Sequence, residues 1–174
     1  LLFDACYMGT AEVCYDFKDV VDYQLVSAME VPAYGFPYNT DLLVNLFEGT
    51  VDGYTKACQE FVDYYEEVYE DGEQAWATIA LVNSKEVNNL TQQIKNQITQ
   101  HKETLADFDV SSLQEYGQST APNIASDLRQ FVEELNGGEV PSEFDAQLNK
   151  TVLFKDCMEI ARPSNYGVET ENFS

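Results

Sequence analysis

Apolar residues open the chain as an unbroken run, Leu1 to Phe3, continued by Ala5. A run without polar alternation predicts a strand covered on both faces by helices. Gly9 and Thr10 break it. Thr10 reads as a helix N-cap, followed at helical spacing by Val13, Phe17, Val20 and Val21. Tyr23 to Val26 is the next predicted strand. Strand, helix and strand in so few residues predict a right-handed parallel crossover. Ser27 to Tyr38 is then a loop punctuated by Pro32, Gly35 and Pro37. It leaves the carboxyl end of the second strand, so it should hang over the same sheet edge as residues 4–9.

Helical periods dominate the rest. A short helix is predicted from about Asp41 to Phe47, capped by Asn39 or Thr40, and a longer one from about Tyr54 to Tyr69. The latter carries a stripe of Tyr54, Cys58, Phe61, Val62, Tyr65 and Val68, and Asp71-Gly72 ends it. Trp76 to Val82 reads as a third buried strand. Asn83 or Ser84 caps a long helix with Val87, Leu90, Ile94, Ile98 and Leu105 on one face. Two more helices are expected, from about Pro122 to Leu135 and from about Ser142 to Phe154. Gly137-Gly138 serves as the stop of the first. The tail from Met158, with Pro163 and Gly167, shows no period.

A chain of 174 residues, 44% hydrophobic and 13% aromatic, can bury a core, and one domain is the default. Three strands are few for an α/β sheet, which usually has about five or more. The first strand also begins with no polar lead-in. The chain is therefore expected to be part of one domain, truncated at both ends, with further strands upstream. An open strand edge would then make the chain fold poorly alone. No apolar run approaches the ~20 residues of a membrane span. The net charge of −22, from 9 basic and 31 acidic residues, argues against nucleic acid and anionic membranes as partners.

Candidate chemistry lies at the end of the first strand. Alternation along a strand points Asp4 and Cys6 to the same side. Sites in such sheets lie beyond the carboxyl ends of the strands. Cys6 is thus a candidate nucleophile and Asp4 a candidate selectivity charge. A carboxylate near a thiol disfavours the thiolate, so Asp4 is directed at substrate and is no base for Cys6. The other cysteines, Cys14, Cys58 and Cys157, form no CxxC and no cysteine/histidine cluster, so no metal site is expected. The acidic stretch Asp63, Glu66, Glu67, Glu70, Asp71 and Glu73 reads as a solvated helix face, since its spacing is not that of an EF-hand loop.

Asp4-Ala5-Cys6-Tyr7-Met8-Gly9, a helix, a strand, and then Ser27-Ala28-Met29-Glu30-Val31-Pro32-Ala33-Tyr34-Gly35-Phe36-Pro37-Tyr38 resemble the clostripain-like cysteine peptidases, relatives of caspases, gingipains and legumain. The likeness is specific over about the first 40 residues and looser beyond. It implies a caspase-like α/β/α sandwich with a mostly parallel sheet, of which this chain would be the cysteine-bearing part. It also implies a cysteine endopeptidase cutting after Arg or Lys at P1. Cys6 would be the nucleophile and its backbone N–H part of the oxyanion hole. Asp4 would form the base of the S1 pocket, with Ser27 and the loop through Tyr34 as its wall.

Two departures qualify the resemblance. The family's catalytic His precedes the cysteine strand, in a segment that does not occur in this sequence. The single His101 falls on a predicted helix and reads as a helix-face residue. Tyr34 stands where relatives often carry Asp, which leaves Asp4 as the pocket's acid. The expected partners are polypeptides with basic P1 residues and the chain's own N-terminal segment carrying the His. Without that segment the isolated chain would be inactive. No cofactor is expected, although some relatives need calcium (Ca2+). Family context places the enzyme outside a bacterial cell: secreted, periplasmic or at the surface. The alternative is a non-catalytic caspase-like binding or regulatory module, which an upstream strand lacking the His would favour. A flavodoxin-like binding domain fares worst, for want of a Gly-rich phosphate loop.

Overall fold

The computed structural model of the chain describes residues 1–69, 77–117 and 125–158. Leu1–Phe3 lies alongside strand β1 (Tyr23–Val26), with Leu25 N–H donating to Leu1 O at 2.8 Å and Phe3 N–H to Leu25 O at 3.0 Å. The Leu2–Leu25 bridge is parallel, as the crossover through α1 (Ala11–Phe17) requires. Thr10 caps α1, its hydroxyl accepting from Val13 N–H at 3.4 Å. The helix stops at Phe17, short of the predicted stripe, and Val20 is 72% exposed.

The mostly parallel sheet is corrected to a mostly antiparallel one. β2 (Thr78–Asn83) pairs antiparallel with β1 on one side and with β5 (Val152–Cys157) on the other. The connection from β1 to β2 makes two helical passes, α2 (Leu42–Phe47) and α3 (Val51–Val68). Two passes return the chain to the sheet end it left, and Val26 faces Ala80; a parallel pair would need a single crossover. Residues 70–76, with the predicted Asp71-Gly72 stop and the Trp76 start of β2, lie outside the described residues, as do Pro122, Pro163 and Gly167.

Helices cover both faces, which gives the expected α/β/α layering. On one face Leu25, Ile79 and Leu81 pack against Cys58, Phe61, Val62 and Tyr65 of α3, the predicted stripe. Val68 at its end is 40% exposed. On the other, Val26 and Val82 meet Cys14 of α1, and Val87 at the start of α4 (Val87–Gln100). Beyond them Leu90, Val132, Phe144 and Leu148 join α4 to α5 (Leu128–Leu135) and α6 (Ser142–Thr151). A short antiparallel pair of two-residue strands, β3 (Glu115–Tyr116) with β4 (Ala125–Ser126), precedes α5. Asp127 sets the start of α5 later than predicted. It is buried, accepts from Arg129 N–H and Gln130 N–H at 3.0 Å each, and takes the Tyr116 hydroxyl at 2.7 Å.

The helix expected to reach Phe154 ends at Thr151 and runs straight into β5. Phe144, Leu148 and Val152 continue a helical period past the true boundary, so the periodicity hides the strand. The helix expected to include Leu105 likewise ends at Gln100, with His101 as its C-cap.

Candidate active site

The strand geometry of residues 1–3 is lost at Asp4, and the chain turns sharply through Cys6 and Tyr7. Tyr7 has φ +59°, a left-handed conformation that costs a non-glycine residue about 1–2 kcal/mol. Two backbone bonds hold the turn: Tyr7 N–H to Met29 O at 2.9 Å and Gly9 N–H to Ser27 O at 2.7 Å. Gly9 lies so close to the chain beyond β1 that a β-carbon there would stand 2.7 Å from Ala28 N. The fold-back leaves Cys6 exposed, its Sγ 4.0 Å from Val31 O. Its backbone N–H donates to no backbone acceptor among the described residues.

Of the four cysteines Cys6 is exposed, and the other three are buried. Burial, with Glu12 nearby, pushes the Cys14 thiol up to about 12, and burial alone pushes Cys58 up to about 12. Neither yields thiolate at neutral pH, whereas exposure leaves Cys6 open to substrate and to a base.

Asp4 and the loop after β1 come together as the sequence suggests. The Asp4 carboxylate is exposed and accepts the Tyr38 hydroxyl at Oδ2, at 3.0 Å. Partial burial, and then the Asp4 bond, hold the Tyr38 phenol above its ordinary value. Gly35, at φ +68°, faces both carboxylate oxygens. The loop is pinned from beneath by Tyr65 of α3, fully buried, whose hydroxyl donates to Gly35 O at 2.6 Å and lies 3.3 Å from Pro32 O. Tyr34 projects outward, 68% exposed.

Ser27 directly follows β1. It is fully buried, and its Oγ is 2.9 Å from Thr78 Oγ1 and 3.1 Å from Met29 O. Both hydroxyl oxygens accept from Met29 N–H, at 3.3 and 3.2 Å, so Ser27 ties the loop to β2. His101 sits at the end of α4, with Nε2 3.3 Å from Asn136 Oδ1. A cavity of about 270 Å³ lies on the α1/α4 face, lined by Cys14, Val26, Val82, Leu90 and Lys155; Asp4 and Cys6 do not line it. Sequence reasoning missed Tyr38, Gly35 and Tyr65 as site residues. Gly35 and Tyr38 read there as parts of the resembling segment, Gly35 also as a breaker, with no role given to either, and Tyr65 only as part of a core stripe.

An accessible thiol thus sits on a strained turn, with a carboxylate two residues before it that is held by Tyr38 of the loop after β1. The model of the Clostripain family matches residues 1–164. The chain belongs to the clostripain family. A clostripain from Bacteroides thetaiotaomicron, in complex with the peptide inhibitor BTN-VLTK-AOMK, is similar with a TM-score of 0.78 and 32% identity, over 99% of this chain and 74% of that one. Iotapain, a secreted cysteine protease from the same organism, gives a TM-score of 0.77 and 32% identity, over 99% of this chain and 47% of that one. An inactive zymogen protease from Parabacteroides distasonis gives 0.72 and 26%, over 99% and 50%. The chain thus spans three quarters of the first and about half of the other two. Comparison with curated proteins finds no match. The clostripain-family fold makes this a cysteine peptidase acting on polypeptides. No helix among the described residues is long and apolar enough to cross a membrane.

Proposed function

We propose that the chain carries the nucleophile and the P1-selecting acid of an endopeptidase that cuts after lysine or arginine. The observation that carries this is the pairing of an exposed thiol with a fixed, exposed carboxylate two residues away on the same turn. Asp4 pairs with the cationic side chain at P1 and so brings the next carbonyl carbon to Cys6. A His from the segment upstream takes the thiol proton. The Cys6 sulfur bonds to the carbonyl carbon, and the oxyanion is met by the Cys6 backbone N–H. The His then protonates the leaving amine as the C–N bond breaks. Water hydrolyses the resulting thioester and restores the thiol. This acyl transfer calls for no cofactor.

Two features of similar proteins support the reading. The inhibitor bound to the first relative has lysine next to its AOMK group, and iotapain is secreted. The chain is accordingly proposed to act outside the cell, and to be inactive without the upstream His.

The test is labelling of the full-length polypeptide with an irreversible lysyl or arginyl ketone, followed by intact-mass and peptide mapping. The expected result is one adduct, at Cys6, and loss of peptidase activity by at least ~10³-fold in Cys6→Ala. A Cys6→Ala protein that cleaves lysyl and arginyl peptides at the normal rate would overturn the proposal.

A further inference from the structure

We propose that Gly35 and Tyr38 make Asp4 a receptor for lysine in preference to arginine at P1. The inference rests on the reading of Asp4 as the base of the S1 pocket. Its ground is the geometry around that carboxylate. A β-carbon placed on Gly35 would stand 3.3 Å from Asp4 Oδ1, 3.3 Å from Oδ2 and 3.7 Å from the carboxyl carbon. Equal distances to the two oxygens, both shorter than that to the carbon, put this point in front of the carboxylate, on its midline. A point over the face of the group would lie nearer the carbon. Gly35 therefore stands across the mouth of the carboxylate, with its hydrogen where a side chain would begin.

Arginine pairs best with a carboxylate through two parallel N–H···O bonds, and the carbon of the guanidinium then sits on that same midline. Gly35 closes this approach. At Oδ2 the Tyr38 hydroxyl already donates at 3.0 Å, and the Tyr38 ring lies against buried Phe36 with centroids 6.4 Å apart. Oδ1 and the flanks of the group remain. A lysine ammonium is a compact point charge with three rotatable donors and can bind from a flank; a rigid fork cannot do so without losing one of its bonds.

The loop is not free to withdraw. Gly35 N–H donates to Pro32 O at 2.8 Å, and Gly35 O takes the Tyr65 hydroxyl from the core side. Tyr34, the residue before Gly35, contributes a phenol and no second carboxylate on which an arginine fork could settle.

The test is steady-state cleavage by the full-length polypeptide of matched fluorogenic peptides with lysine, arginine or norleucine at P1. The expected result is a kcat/KM for lysine at least ~10-fold above that for arginine, the scale of one hydrogen bond to a charged group. Tyr38→Phe releases Oδ2 and should narrow the lysine-to-arginine ratio by at least ~3-fold. A purely structural role for Tyr38 would lower both substrates together and leave the ratio unchanged, and that result would remove Tyr38 from the inference. Arginine cleaved as fast as lysine by the native enzyme would overturn the inference and leave the proposed function standing. Norleucine cleaved as well as both would overturn the two together.

Discussion

Tyr7 and Gly9 show how little of the chain is needed to present Cys6. One residue in the left-handed region turns the backbone, and one residue without a side chain lets it pass the segment beyond β1. Gly9→Ala would place a β-carbon 2.7 Å from Ala28 N and 2.8 Å from Ser27 C, both backbone atoms that cannot rotate away. The full-length protein should lose about 1–3 kcal/mol in urea unfolding, and activity should fall because the turn carries the thiol. An unchanged midpoint would contradict the close approach. At this scale Cys6 and Asp4 are legible as candidates on local facts, a strand end and a carboxylate two residues before the thiol. The strand alternation that pairs them in the sequence stops short of them, since the chain leaves strand geometry at Asp4. Tyr38 is no such candidate. Its bond to Asp4 spans 34 residues, and only the folded loop brings the two together. The inward turn of the Ser27 hydroxyl to Thr78 is hidden for the same reason, since nothing local tells of it.

Among the elements, α3 does two jobs with one stripe. Cys58, Phe61 and Val62 fill the core under the sheet, while Tyr65 also reaches up to the loop that carries Gly35. Tyr65→Phe keeps the packing and leaves the Gly35 carbonyl without that donor. It should cost about 1–3 kcal/mol of stability in urea unfolding. It should also raise KM for a lysyl peptide more than it lowers kcat, because it relaxes the binding loop and leaves the thiol alone. A fall in kcat with KM unchanged would assign Tyr65 to the chemistry instead. The α3 stripe and β1 could be read from periodicity because each has a buried face of ordinary length. β5 could not. Its exposure alternates along a half-covered strand, and its first residue completes the helical period of α6. The direction of β2 was equally hidden, because it depends on the number of passes in its connection and not on its own residues.

Across the whole molecule the layers separate two functions. One face of the sheet holds the aromatic core that steadies the site loop, and the other packs α1, α4, α5 and α6. The full sequence carries a net charge of −22. A net charge of that sign repels polyanions. The layering was legible from apolar runs and helical stripes, whereas the link between sheet and site loop was not. That link is Met29. It belongs to no strand or helix, yet it is fully buried, its N–H lies against Ser27 Oγ and Thr78 Oγ1, and its carbonyl takes the Tyr7 N–H. A backbone unit so tied trades hydrogen with solvent only when a larger region opens. Native-state hydrogen exchange should find the Met29 amide about as slow as those of Leu25 and Leu81; exchange as fast as an exposed loop would refute this. The segment beside Cys6 then opens and closes as part of one cooperative unit with β1 and β2, so the thiol keeps the slow clock of the core.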